Sequence, residues 1–114
     1  MDRTVVLQKA IVSVMDDYIA EHAHSESLRG LKYEKVIDTQ NLHFQLIMLG
    51  WQDRQRVFNL IFHADIIDEK IWIQEDNLEY SVAERLTEHG LSKKDIVLAY
   101  FTSTHRQYTE YAVS

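Results

Sequence analysis

A chain of 114 residues and 13.5 kDa has room for one hydrophobic core and not for two. Apolar residues at 46% and charged residues at 26% exclude a disordered or fibrous chain. A formal net charge of −6 argues against a stand-alone DNA-binding protein, and the lack of cysteine excludes disulfides and thiolate chemistry.

Without cysteines, a reducing cytoplasm is the simplest home. The first residues carry Asp2 and further charges through their apolar stretch, which predicts neither a signal peptide nor a membrane span. Leu7, Ile11, Val14 and Tyr18, flanked by Ala10 and Met15, recur at helical spacing and predict an amphipathic first helix. It is expected to end in the polar stretch 21–27. Leu31, Tyr33 and Ile37 then alternate with Lys32, Glu34 and Asp38, the pattern of a strand exposed on one face. Residues 38–41, DTQN, form a turn cluster.

Leu42, Phe44, Leu46 and Met48 line one face of a second strand, with His43, Gln45, Ile47 and Leu49 opposite. Its end is apolar on both faces, as expected of an interior strand. After a turn at residues 51–53, Phe58, Leu60 and Phe62 are assigned to one face of a third strand and Val57, Asn59, Ile61 and His63 to the other. Asp68-Glu69 interrupts the apolar run as a hairpin turn. In the fourth strand, KIWIQ, Ile71 and Ile73 oppose Lys70, Trp72 and Gln74.

Asp76 stands three residues before Glu79, the spacing of a capping box, and predicts a second helix over residues 76–90 with Val82, Ala83 and Leu86 inward. Gly90 supplies a left-handed stop, after which Leu91 can touch Leu86. Residues 92–95, SKKD, read as a capping-box turn, and IVLAYF from Ile96 as a fifth strand. No regular structure is expected in the tail THRQYTEYAVS. The fold class is therefore α+β in a single domain, residues 1–114: N-terminal helix, four-stranded antiparallel meander, second helix and fifth strand. Both helices should pack on one face of the sheet.

Chemistry-bearing patterns are sparse. Gly30, Gly50 and Gly90 stand alone rather than in a phosphate-cradling run, and no serine sits in a nucleophile elbow, so no cofactor is implied. His22 and His24 do not face each other on a helix and read as a solvated helix end. His43 and His63 read as hydrogen-bonded strand histidines. Asp65 shares a strand face with His63, and Lys70 lies across the turn, the outline of a small metal-dependent nuclease or hydrolase. Such an enzyme needs a second acid two positions before the lysine, and Asp68 at that place belongs to the turn. Trp72, Gln74, Arg106, Tyr108 and Tyr111 combine aromatic rings with an arginine, the residues that anchor interfaces, and predict self-association or docking of a companion protein.

The segments LIMLGW (46–51), HADIIDEKIWIQED (63–76), the helix over 79–90, KKDIVLAY (93–100) and RQYTEYAV (106–113) together resemble the XisI family, the fdxN-element excision controlling factors of cyanobacteria. Two positions depart from that family: its turn has Asp-Gly where this chain has Asp68-Glu69, and its Pro-Pro pair is replaced by Thr102-Ser103-Thr104. The resemblance implies a non-enzymatic factor controlling excision of a DNA element by a site-specific recombinase during heterocyst differentiation. It also implies a nuclease-like companion, XisH, as partner.

Overall fold

The computed structural model describes residues 2–114, except for the side chain of residue 27. Helix α1 (Arg3–His22) starts where the Asp2 carboxylate accepts the Thr4 N–H at 3.0 Å. It buries Leu7, Ala10, Ile11, Val14 and Met15, the stripe that its sequence spacing specifies. Strands β1 (Leu31–Asp38), β2 (His43–Gln52), β3 (Gln55–Ile67) and β4 (Lys70–Asp76) form an antiparallel meander. Helix α2 (Val82–Glu88) then carries the chain across to β5 (Ile96–Leu98), which lies parallel to β4 at the edge. The sheet order is β1-β2-β3-β4-β5. A long connection containing a helix is what a parallel neighbour requires.

α1 and α2 cover the same face. Their apolar stripes form one core with Phe44, Leu46, Phe62, Ala64, Ile71, Ile73 and Ile96 of the sheet. The expected α+β architecture is therefore the one observed. Both turn residues between β3 and β4, Asp68 and Glu69, have positive φ, 50° and 61°. That is the tight primed turn, adopted here without glycine. Glycine is required elsewhere: a Cβ on Gly50 would stand 2.2 Å from the Gly30 carbonyl oxygen, where β1 and β2 approach at their ends.

The structure corrects the second helix at its start. The helix begins at Val82, six residues after Asp76, and its N-cap is Ser81, whose Oγ accepts the Glu84 N–H at 3.2 Å. Glu79 lies before the helix and closes no capping box. Asp76 still serves the first turn, because its Oδ2 accepts the Val82 N–H at 2.9 Å while Oδ1 accepts from Leu78. The C-terminus follows its sequence signals. Gly90 has φ +92°, Gly90 N–H donates to Thr87 and Leu91 N–H to Leu86, a complete Schellman ending. The capping box at Ser92 and Asp95 is also formed.

Phe58, assigned to the same face as Phe62, is 64% exposed while Phe62 is fully buried. A register shift in the β2–β3 ladder accounts for it: Ile47 pairs with Leu60 but Leu46 with Phe62, so Ile61 is an extra residue. Beyond it, alternation flips, and Phe58 stands opposite Leu49 on the face away from the helices. The fifth strand is shorter than IVLAYF, since Phe101 N–H turns back to Leu98 O. The tail contains a short helix α3 (Ser103–Arg106) capped by Thr102, and Ala112 then pairs alongside Val97. Thr102 thus occupies a helix start where the family pattern places proline.

Candidate functional site

The face of the sheet away from α1 and α2 carries the polar chemistry. Ladder partners align one row across it: Asp38 opposite His43, His43 opposite Asp65, Asp65 opposite Trp72, and Trp72 opposite Val97. Directly opposed side chains share a face and touch. Asp65 is the buried charged residue of this row, at 9% exposure. A carboxylate so placed needs partners. His43 Nδ1 donates to Asp65 Oδ1 at 2.6 Å, His63 Nε2 donates to the same oxygen at 2.7 Å, and Gln74 Nε2 donates to Oδ2 at 3.2 Å. Gln45, opposite His63 on β2, donates to His63 Nδ1 at 2.9 Å.

Gln74 reaches this cluster through a second irregularity. His63 pairs with Glu75 and Ala64 with Ile73, so Gln74 is the unpaired residue of β4. The His43 imidazole, half exposed, is held above the usual histidine range by its hydrogen bond to the Asp65 carboxylate, and Asp38 adds to the effect. One ring nitrogen from each of His43 and His63 and a carboxylate oxygen of Asp65 all lie within 4.8 Å of one another. Two imidazoles and a carboxylate so arranged can exchange protons or ligate a cation.

The predicted site residues separate into distinct groups. Asp65 and Gln74 join the histidine cluster. Lys70 points its ammonium to the Ser114 carbonyl, 2.8 Å away, while Asp65 is bonded to His43, His63 and Gln74. The Arg106 guanidinium lies 5.3 Å from the Trp72 ring centroid. This contact ties the tail to β4, and the guanidinium also donates to the Phe101 carbonyl at 3.1 Å. The Trp72 indole N–H is buried and, among the described residues, has no hydrogen-bond partner. Tyr111 is half buried against the core with Lys93 over its ring, and burial raises its phenol pKa. Tyr108 stands in solvent at 83% exposure. Near the end of α1, His22 donates to the Tyr18 carbonyl at 2.8 Å and lies tilted against the Tyr18 ring.

His43 and Gln45 are not marked as functional residues by the sequence of β2 alone. The available signal was a pair of i, i+2 polar residues on each of two consecutive strands, His43 and Gln45, then His63 and Asp65. Their meeting depends on the extra residue in β3.

The XisI protein family matches residues 1–113. A XisI-like protein from Anabaena variabilis is 30% identical, with a TM-score of 0.84, covering 97% of this chain and 99% of its own. The fdxN element excision controlling factor XisI from the same organism has the same fold, with a TM-score of 0.77 at 24% identity over 99% and 100% of the two chains. No curated protein matches. Among the described residues, no helix is long and apolar enough to cross a membrane. The chain belongs to the XisI family.

Proposed function

We propose that this protein is a cytoplasmic accessory factor controlling site-specific excision of a DNA element, acting through contacts with other proteins rather than through chemistry of its own. The observation that carries the reading is the XisI family match along residues 1–113. The anticipated partners are a second copy of the chain, a XisH-like companion and the recombinase that cuts the element during heterocyst differentiation. The net charge of −6 supports partners that are proteins rather than direct contact with duplex DNA.

The tail offers a suitable contact. Tyr108, at 83% exposure, is two positions from Arg106, whose guanidinium rests on Trp72. Tyrosine, arginine and tryptophan dominate binding energy at interfaces. Co-expression with a XisH-like companion and with the recombinase, followed by size-exclusion chromatography with light scattering, tests the reading. Stable co-elution, or self-association, that Tyr108→Ala weakens at least tenfold with an unchanged melting curve is the expected result. Monomeric elution alone and with each partner would overturn it.

A further inference from the structure

We propose that His43, His63 and Asp65 form a binding site for one divalent first-row transition metal, zinc being the ion whose chemistry fits best. The site is independent of the protein-contact reading. Two imidazole nitrogens and one carboxylate oxygen are a donor set that zinc accepts with three protein ligands and a remaining open position. The three donors come from ladder-paired positions on two adjacent strands, so their backbones are held by the sheet and not by a mobile loop. All three atoms already converge within 4.8 Å.

Bonds of about 2.0–2.2 Å to a tetrahedral ion place donor atoms roughly 3.3–3.5 Å apart. The two Asp65–imidazole contacts, 2.6 and 2.7 Å, therefore open by under about 1 Å as the ion enters between them. The rings shed the hydrogens that they now donate to Asp65. For His63 the hydrogen moves to Nδ1, where a half-turn of the Gln45 amide presents an oxygen acceptor in place of its N–H. For His43 it moves to Nε2 on a ring that is half exposed to water.

The outer contacts point the same way. Gln45 fixes the far nitrogen of His63, and Gln74 holds the carboxylate oxygen that is left free of the ion. Partners of this kind orient metal ligands and raise affinity. The half-exposed His43 side leaves the ion open to solvent and to an exchangeable fourth ligand.

The test uses untagged full-length protein, treated with chelator and titrated with zinc or cobalt(II) chloride by calorimetry and thermal shift. One ion per chain and a melting temperature that rises with metal concentration are expected. Gln74→Ala should weaken binding by about tenfold, whereas Asp65→Asn, which removes a ligand, should weaken it by more than about 100-fold. A second measurement needs no variant: cobalt(II) should shift and broaden the ring-proton NMR signals of His43 and His63 ahead of those of His22 and His24. Absence of stoichiometric binding overturns the proposal. So does full affinity in Asp65→Asn, or cobalt(II) perturbation confined to His22 and His24.

Discussion

Leu86→Ala is the perturbation that weighs the core against the surface most sharply when paired with Phe58→Ala. Leu86 is fully buried, on a helix seven residues long that packs against α1 and β4. That helix cannot easily sink into a cavity. Its first N–H groups are held by Ser81 and Asp76, and the Leu86 carbonyl accepts from both His89 and Leu91 at its end. With collapse hindered, the cost should fall in the upper part of the usual range for such truncations, about 3–5 kcal/mol. For a domain of this size that lowers Tm by roughly 3–6 °C for each kcal/mol. Phe58 is the larger side chain, yet it is 64% exposed, and its removal should stay within about 0.5 kcal/mol. Urea denaturation followed by circular dichroism gives both values, with the slope against urea expected to stay constant. Equal costs for the two variants, or a near-zero cost for Leu86→Ala, would refute the placement of α2 and the flipped face of β3.

His63→Ala should cost about 1–3 kcal/mol, because it strips the Asp65 carboxylate of a donor in a buried site. Asp65→Asn in the same chain should recover part of that loss, as a double-mutant cycle in urea can measure; additive costs would show that the two groups are not coupled. At the opposite end of the sheet, burial beside Tyr18 pushes the Tyr33 phenol up to about 12 from an ordinary 10.0. Both folded and unfolded states keep that proton below the unfolded value, so the stabilisation is complete there; it is lost as pH rises toward the folded value. Phenolate absorbance should therefore show a late-titrating tyrosine that is missing from Tyr33→Phe, with stability falling over the same alkaline window. The isolated protein, at net charge −6, should bind duplex DNA weakly and with little dependence on salt; tight binding that collapses as salt rises would revive a direct role on DNA.

Local signals carried most of the architecture. The stripe of α1, the inward Ile71 and Ile73, the Gly90 stop and the Ser92 capping box are all decided within a few residues of sequence, and all are present in the structure. What escaped depends on long-range pairing. A single extra residue, Ile61, moves Phe58 to the other face, and the same shift sets His43 opposite Asp65 instead of Ala64. Nothing in the alternation of either strand marks that bulge. The start of α2 escaped for a different reason. Asp76 and Ser81 are both acceptable caps, and the choice was made by Asp76 closing a loop onto Leu78 and Val82 rather than opening the helix itself. Half of the histidine cluster was thus legible, on β3, and its β2 half was not.

The proposed role of this chain is to control excision of a DNA element through protein contacts. A reporter element flanked by the recombinase's target sites, carried in cells that express the recombinase and a XisH-like companion, tests it most directly when excision is counted with and without this protein. Excision that depends on the wild-type chain, falls with Tyr108→Ala and persists with Lys70→Ala is the predicted outcome. Excision at the same frequency whether or not the chain is present would contradict the claim.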